Sequence, residues 1–339
     1  MGAGWHRLLV PLTPLWEGWV RGRARAHRSG LVRSHRLPVP VVSVGNLTFG
    51  GTGKTPTVIG LVRDLLHRGG RPAVLTRGYG RVGRAPLVLL GPEGADWRRA
   101  GDEPVEMATA LPEVPVVVDA DRVRGGRTAV ELGADVIVLD DGFQHLRLAR
   151  DLDLVLLDAG DPFGGGRMPP LGRLREPMGA LGRADAVLVT KLHGEGDGRL
   201  ATIRERVAAV APELPLLAAR LEVRRVLTPE GALGVESLRG RRVLAFSGIG
   251  RPSGLVELLA EAGAEVVGLE TFPDHHPYRP AEVEAVLAAA AAREAVALTT
   301  AKDRVKLPPD APVWTLEVAM EVAGGDWEAL WRRAPGVLP

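Results

Sequence analysis

The chain has 339 residues, of which 45% are hydrophobic and 25% charged, and this composition is that of a folded globular protein large enough for two lobes. It has no cysteine, which excludes disulfide bonds and thiolate metal sites. The net charge of +2 is uneven, because residues 1–40 carry seven Arg and one Glu while the rest of the chain is mildly acidic. A basic N-terminus predicts attraction to an anionic surface. No basic stretch is interleaved with aromatic residues, so we expect no nucleic-acid partner.

The first 35 residues are predicted to form an amphipathic segment that lies at a membrane interface. No apolar run approaches the ~20 residues that a bilayer span needs, and Pro11 and Pro14 are expected to kink a helix here. The alternative is a helix that packs on the protein's own core, and both interpretations can hold at once. The apolar stripe is Trp5, Leu8, Leu9, Leu12, Trp16 and Trp19, and the basic residues after it are Arg21, Arg23, Arg25 and Arg28.

Strand-like and helix-like segments then alternate, which predicts an α/β fold with a parallel sheet and helices on both faces. The first series has predicted strands at 41–44, 73–76, 115–118, 135–139, 153–158 and 185–190, with helices at 56–68, 122–132 and 199–211. The second series has strands at 242–247, 265–270 and 295–300, with helices at 253–262 and 280–293.

The change of pattern between the two series predicts the domain organisation. Short β-prone pieces at 218–241 are interpreted as a β hinge between a core at 36–217 and a smaller α/β lid lobe at 242–325. Residues 326–339 are expected to form a C-terminal tail or helix. Two lobes joined by a hinge suit an enzyme that closes over its substrate.

The most informative motif lies between the first predicted strand and the helix that follows it. A glycine-rich turn ends in Gly53-Lys54-Thr55, and this strand–turn–helix context predicts a phosphate-binding loop of the P-loop NTPase type. We expect Lys54 to reach the β- and γ-phosphates of a nucleoside triphosphate and Thr55 to bind Mg²⁺. The usual first glycine is replaced by Thr48. The predicted nucleotide-binding residues are Thr48, Phe49, Gly50, Gly51, Thr52, Gly53, Lys54 and Thr55.

Two carboxylates follow the apolar strand at 135–139. Asp140 and Asp141 would lie at the carboxyl edge of the sheet, where open α/β proteins bind ligands. Adjacent carboxylates are costly without a cation, so they predict a metal site beside the phosphate-binding loop. Asp158, at the end of another strand, is the alternative ligand. Gln144 and His145 lie on the same turn.

Two further motifs are expected near the same edge. Arg77 and Tyr79 follow the next strand, and either side chain could reach the site. Asp102 and Glu103 stand just ahead of a helix, where helix capping by itself explains Asp102.

Two later motifs are ambiguous by themselves. Arg175 and Glu176 belong to a Leu-Arg-Glu-Pro segment whose arginine could clamp a phosphate. The segment 272–278 holds Asp274, His275 and His276, but consecutive histidines do not have the spacing of a tetrahedral zinc site. We therefore expect this loop to have a polar role without a metal.

In their order along the chain, these motifs resemble the tetraacyldisaccharide 4′-kinases of lipid A biosynthesis. The resemblance covers roughly residues 5–320, and Thr48 in place of glycine is also usual in that family. One departure is Pro169-Pro-Leu-Gly-Arg173, where the family tends to have Leu-Pro-Ala-Gly-Pro. The motifs that carry the resemblance are 45–56, 77–80, 101–104, 140–145, 174–177, 248–250, 274–275 and 302–303.

The resemblance implies transfer of the γ-phosphoryl group of ATP, with Mg²⁺, to the 4′-hydroxyl of tetraacyldisaccharide 1-phosphate, which forms lipid IVA. It further implies an enzyme peripheral to the cytoplasmic face of the inner membrane, where its acylated disaccharide substrate resides. Asp102 would be the base, paired on lobe closure with His275 from the lid.

The resemblance also assigns the remaining site residues. The catalytic set would be Asp102, His275, Lys54 and Asp141, and the metal ligands would be Thr55, Asp140, Asp141 and Glu103. Substrate or phosphate contacts would come from Asn46, Arg77, Tyr79, Gln144, His145, Arg175 and Glu176.

Two other functions compete with the lipid kinase. One is a P-loop ATPase or ligase that acts on a soluble metabolite, and the other is a nucleotide-switched membrane scaffold. The pair of Asp102 and His275 discriminates best between them, because a switch needs no base to activate a hydroxyl group.

Overall fold

The computed structural model describes residues 13–83, 85–192, 198–323 and 327–338. Its α-helices are α1 (Thr13–Arg28), α2 (Lys54–His67), α3 (Trp97–Ala100), α4 (Asp102–Ala110), α5 (Arg122–Glu131), α6 (Arg199–Ala208), α7 (Ser253–Glu261), α8 (Pro280–Ala291), α9 (Ala301–Arg304) and α10 (Glu328–Trp331). Short 3₁₀ turns occupy Gly164–Gly166, Met178–Arg183, Val235–Leu238 and Pro335–Val337.

The strands of the first lobe are β1 (Val41–Asn46), β2 (Pro72–Thr76), β3 (Leu87–Leu89), β4 (Val116–Val118), β5 (Val136–Asp140), β6 (Leu152–Asp158) and β7 (Ala186–Thr190). They are followed by β8 (Leu216–Thr228), β9 (Gly231–Leu233), β10 (Arg242–Ser247), β11 (Glu265–Thr271), β12 (Val296–Thr300) and β13 (Trp314–Val322).

All these strands belong to one sheet in the order β11-β10-β12-β13-β8-β7-β6-β1-β5-β2-β4-β3, with β9 paired to β8. The pairs from β7 to β4 are parallel, and the short edge strand β3 is antiparallel to β4. The lid strands β11, β10, β12 and β13 are parallel to one another, and β13 is antiparallel to β8. The predicted α/β class with a mostly parallel sheet is therefore confirmed.

The central strands form because their sequences are apolar on both faces. Val42 and Val44 of β1 pack in one cluster with α2 and α4, whereas Val41 packs on the other face in a cluster with Val123 of α5. This alternation follows from the two-residue period of a strand, and helices therefore cover both faces of the sheet.

The predicted hinge contains a strand that both lobes share. Residues 216–218 of β8 pair in parallel with β7, and residues 219–227 pair antiparallel with β13. The sheet therefore continues from one lobe into the other. The predicted domain limits stay predictions.

The C-terminal segment packs on the first lobe. Trp331 is 1% exposed in the same cluster as Leu61 of α2, and its indole Nε1 donates to Asp64 Oδ2 at 2.6 Å. This contact covers the outer face of α2.

Helix α1 is docked on the core along one side and exposed along the other. Val20 is buried in a cluster with Leu47 and Phe143, whereas Trp16 and Trp19 are 50% and 55% exposed and stack with ring centroids 5.2 Å apart. Pro14 lies in the first described turn of α1, and the residues before this turn lie outside the described ranges, so the predicted kink stays a prediction.

The rest of the N-terminal prediction falls beyond what the structure covers. Pro11 and the stripe residues Trp5, Leu8, Leu9 and Leu12 lie outside the described residues. Within the described ranges, no helix is long and apolar enough to cross a bilayer.

Candidate active site

The phosphate-binding loop connects β1 to the first residue of α2, Lys54. Gly50 and Gly53 have φ angles of 120° and 85°, which favour glycine, and a Cβ atom on Gly53 would lie 2.8 Å from Met320 Cε. The loop is held from within by Asn46 Nδ2, which donates to Thr52 Oγ1 at 3.1 Å. It is also held from strand β7 by Thr190 Oγ1, which donates to the Thr52 carbonyl at 2.8 Å. These two hydrogen bonds brace the loop at Thr52.

Asp141 lies against the start of α2. Its Oδ1 is 3.6 Å from Lys54 Nζ, and Arg175 Nη1 donates to its two oxygens at 2.7 and 2.9 Å. Burial opposes the charged form of Asp141, but Lys54 and Arg175 outweigh it and lower the pKa of this carboxyl. Arg175 also lies 5.2 Å from the centre of the Phe49 ring.

Asp140 has an unsatisfied oxygen in the site. Its Oδ2 accepts from Thr76 Oγ1 at 2.8 Å, whereas its buried Oδ1 has no hydrogen-bond partner. Burial, together with the charges of Glu103 and Asp141, raises the pKa of Asp140 to about 6. A cation at this point would satisfy the oxygen and relieve the repulsion.

These residues fit a magnesium ion that is bound together with phosphates. Asp140, Asp141 and Thr55 line one cleft, and the described residues contain no group of three or more His, Cys, Asp or Glu side chains arranged to hold a metal by themselves. Mg²⁺ usually takes one or two carboxylates and fills its other positions with phosphate oxygens and water.

The other two candidate ligands have partners already. Asp158 pairs with Lys191 at 2.7 Å, and Glu103 pairs with Lys302 at 3.4 Å. As metal ligands they stay predictions.

Asp102 and His275 form a pair across the two lobes. Asp102 begins α4 in the core, His275 lies in the lid loop before α8, and His275 Nδ1 is 3.0 and 2.8 Å from the two oxygens of Asp102. Burial opposes the charged form of Asp102, yet the hydrogen bond from His275 and the charges of Lys302 and Lys306 lower the pKa of Asp102. The same hydrogen bond raises the pKa of His275. The structure brings these two predicted residues into contact, whereas their catalytic roles and the dependence of the pair on lobe closure stay predictions.

The second imidazole nitrogen of His275, Nε2, faces two charged side chains of the lid. Asp102 is 4% exposed behind His275, which itself lines the cleft. His275 Nε2 lies 3.5 Å from Lys302 Nζ and 3.8 Å from Asp274 Oδ2. The Tyr79 ring is next to the imidazole, with 5.7 Å between ring centres.

A cleft of about 1050 Å³ brings most of the predicted site residues together. It extends from Trp16, Trp19 and Arg23 of α1 to the lid. The predicted residues at its wall are Phe49, Gly50, Gly51, Thr52, Gly53, Lys54, Thr55, Arg77, Tyr79, Glu103, Asp140, Asp141, Gln144, His145, Arg175 and His275. Burial and the nearby charge of Arg122 lower the pKa of His145 to about 4, so this imidazole is neutral near pH 7.

Besides Asp102, which lies behind His275, three predicted residues are not brought to the cleft wall. Glu176 is 2% exposed and its carboxylate accepts from Arg183 at 2.9 and 3.1 Å. Asn46 is fully buried beneath the loop, and Thr48 forms a backbone bridge with Leu174. In this geometry they support the loops, and a direct substrate contact by Asn46 or Glu176 is not supported.

Sequence reasoning missed several cationic residues of the site. Arg122, Lys191 and Lys302 line the cleft, and Arg122 is only 4% exposed. Each lies just beyond the carboxyl end of a parallel strand: β4, β7 or β12. That position is the signal that could have found them, because ligands bind at this edge of the sheet.

Comparison with known proteins identifies the family. The family model described as tetraacyldisaccharide-1-P 4′-kinase matches residues 5–334. A tetraacyldisaccharide 4′-kinase of Anaeromyxobacter sp. (strain Fw109-5) is 44% identical over 315 residues, which are 89% of this chain and 83% of the relative. One of Paramagnetospirillum magneticum is 43% identical over 328 residues, with 95% and 91% covered.

A solved structure agrees with the sequence relatives. The crystal structure of the "apo" form of LpxK from Aquifex aeolicus in complex with ATP superposes with a TM-score of 0.78 at 32% identity, over 98% of this chain and 99% of that one. The chain therefore belongs to the family of tetraacyldisaccharide-1-phosphate 4′-kinases.

Proposed function

We propose that this protein transfers the γ-phosphoryl group of ATP to the 4′-hydroxyl of tetraacyldisaccharide 1-phosphate, which yields lipid IVA in lipid A biosynthesis. The observation that carries the proposal is the meeting, in one cleft, of a phosphate-binding loop, two acidic residues at a strand end and a carboxylate–imidazole pair. Family membership over nearly the whole chain supports the same activity.

The loop and its neighbours bind the nucleotide. The backbone amides of residues 50–55 and the Lys54 ammonium group, which line the cleft, would hold the β- and γ-phosphates, as in other proteins with this loop. Arg175 orients Asp141 through two short contacts, and it thereby keeps that carboxylate beside Lys54. Arg122 adds a buried positive charge to the same wall.

Asp140, Asp141 and Thr55 would hold the magnesium ion. Bound Mg²⁺ supplies charge neutralisation on the phosphate oxygens. The protein's own contribution is the unpartnered Asp140 Oδ1, which Thr76 orients through the other oxygen.

The Asp102–His275 pair would take the proton of the acceptor hydroxyl. Because Nδ1 of His275 donates to Asp102, the nitrogen that remains for the hydroxyl proton is Nε2. Asp102 then fixes the orientation of the imidazole and stabilises its protonated form. In this proposal His275 is the base and Asp102 orients it. The resemblance had instead implied that Asp102 is the base. A nucleotide switch would need neither residue.

The N-terminal helix would bring the lipid substrate to the cleft. Trp16 and Trp19 are exposed and line the same cleft as Phe49 and Arg175. We propose that α1 lies on the cytoplasmic face of the inner membrane, with its indoles at headgroup depth and its arginines toward anionic lipid. A sugar headgroup could then enter the cleft while its acyl chains stay in the bilayer.

A radiolabel transfer assay tests the proposed reaction. The protein is incubated with γ-labelled ATP, Mg²⁺ and detergent-dispersed tetraacyldisaccharide 1-phosphate, and the products are separated by thin-layer chromatography. We expect label in the lipid spot, and none with Lys54→Met protein. Label found only in inorganic phosphate, at a rate that the lipid does not change, would support the ATPase alternative instead.

A further inference from the structure

A second lysine of the lid reaches the catalytic pair from behind. Lys306 has a fully buried side chain, and its Nζ lies 2.8 Å from Asp303 Oδ1 and 3.6 Å from Asp102 Oδ2. Lys306, Asp303 and Asp102 thus form a cluster of buried charges. Unlike Lys302, none of the three lines the cleft, so they are not placed to touch substrate.

Asp303 is fixed by hydrogen bonds from the lid. Its Oδ2 accepts from Ser247 Oγ at 2.9 Å, from the Gly248 amide at 3.0 Å and from Thr300 Oγ1 at 2.9 Å. Three donors on one oxygen fix the orientation of the carboxylate. Its other oxygen is thereby left for Lys306, whose ammonium group also lies 5.5 Å from the centre of the Tyr278 ring.

Burying an ammonium group costs several kcal/mol unless carboxylates compensate it, so the position of Lys306 is unlike that of an ordinary surface lysine. Asp303 provides one compensating charge from the lid, and Asp102 provides the second from the core. The lid therefore contacts Asp102 twice, through Lys306 at Oδ2 and through His275 Nδ1 at both oxygens.

We propose that Lys306, held by Asp303, is a positioning residue that fixes the Asp102 carboxylate against His275 and thereby sets the imidazole with Nε2 toward the cleft. The inference rests on the proposed kinase function. Lys306 couples the state of the lid to the readiness of the base, because both the lysine and the imidazole come from the lid and both act on one core carboxylate.

A double-mutant cycle in the full-length enzyme tests this role. Lys306→Met keeps the length and apolar stem of the side chain and removes its charge. We expect kcat for lipid phosphorylation to fall about 10- to 100-fold with the KM for ATP nearly unchanged, as when one member of an interacting network is lost. In an Asp102→Asn background the same substitution should lower kcat less than twofold. Arg293→Met, which removes an exposed positive charge of the lid, is the matched control and should leave kcat unchanged.

The outcomes separate the possible explanations. An equal loss of kcat in both backgrounds would mean that Lys306 acts only through lid stability, and an unchanged kcat in the wild-type background would mean that it does not act at all; either result overturns the inference. If Lys306→Met does not fold by circular dichroism, Lys306→Gln, which keeps a donor for Asp303, carries the same cycle. Absence of lipid phosphorylation by the wild-type enzyme would instead refute the proposed function.

Discussion

At the scale of single residues, the pair that carries the proton transfer can be tested by one isosteric change. Asp102→Asn keeps the size of the side chain and removes the charge that orients and stabilises the His275 imidazole. We expect kcat to fall by about two to four orders of magnitude, the usual effect of losing general acid–base catalysis. The radiolabel transfer assay measures the loss.

The control for this change is an exposed carboxylate of the lid. Glu270→Gln removes one negative charge from an exposed position of β11 and should leave turnover within about twofold of wild type. Wild-type turnover by the Asp102→Asn enzyme would show that the reaction does not depend on the Asp102 carboxylate.

What the sequence could predict at this scale depended on strand ends. Asp140 and Asp141 stand at the end of one apolar strand, and Lys54 and Thr55 follow the glycine-rich turn after another. The edge rule for parallel sheets was therefore enough to bring them together. Such a pattern does not predict the direction in which a side chain points. Glu176 lies beside Arg175 in sequence, yet it points into the core because Arg183 satisfies both of its oxygens.

The pairing of residues distant in sequence is harder still. Asp102 and His275 are separated by 173 positions, and no local pattern relates them, so their pairing rested on family resemblance. Lys306 gave no signal at all, because a lysine in a short polar turn is usually exposed. Its burial follows from how α9, which precedes it in the chain, packs against α4.

At the scale of elements, the strands and helices with strong apolar runs were predicted to within a few residues. The prediction missed β13, and it interpreted β8 only as short pieces of a hinge. Strand β8 is 13 residues long and mostly half-buried, because it lies where the two parts of the sheet join. Because basic and apolar residues alternate in this segment, the sequence did not predict where strand β8 begins and ends.

The close packing of strand β1 against the turn after β5 is expected to depend on Gly45, because a glycine has no side chain. A Cβ atom on Gly45 would lie 2.5 Å from Phe143 Cβ and 2.8 Å from the Phe143 amide nitrogen, both close to Asp141. Gly45→Ala should therefore displace this turn, lower the free energy of unfolding by about 1–3 kcal/mol, and reduce turnover. Urea unfolding and the transfer assay measure the two effects.

The matched control is Gly182→Ala, at an exposed position where an added Cβ atom meets nothing within 4 Å. Its free energy of unfolding should stay within about 0.5 kcal/mol of wild type. Equal stability of the two variants would contradict the close packing of β1 against the Phe143 turn.

Helix α1 is expected to bind membranes through its exposed indoles. Replacing both Trp16 and Trp19 by alanine should lower co-sedimentation with anionic liposomes several-fold, because each indole contributes apolar area at headgroup depth. Val20 still docks the helix, so turnover with a short-chain, detergent-dispersed acceptor should fall less than liposome binding.

The control for α1 is Leu90→Ala, which removes an exposed apolar side chain beside the edge strand β3. Liposome binding should not change in this variant. Equal binding by the double tryptophan variant and wild type would contradict the interfacial role of α1 and leave only its docking on the core.

At the scale of the whole molecule, the two lobes share a strand and a buried cluster as well as the cleft. Strand β8 hydrogen-bonds to both, and Met320 and Val322 of β13 belong to the same buried cluster as Val58 and Leu61 of α2. Trp331 closes this cluster from the C-terminal side. Loss of the lid strands would therefore expose the core of the first lobe, so the lobes should not be independent in stability even if they move relative to one another.

We accordingly expect the protein to unfold in urea as one cooperative unit. The transitions followed by far-UV circular dichroism and by tryptophan fluorescence should coincide. Trp331→Phe removes the bond to Asp64 and part of the buried volume, so it should lower both midpoints together, by about 1–3 kcal/mol in the free energy of unfolding. Trp97→Phe lies in the short helix α3 and outside this cluster. It should change the free energy of unfolding from either transition by no more than about 0.5 kcal/mol. Two separated transitions, of which Trp331→Phe shifts only one, would show that the shared strand and cluster do not couple the lobes.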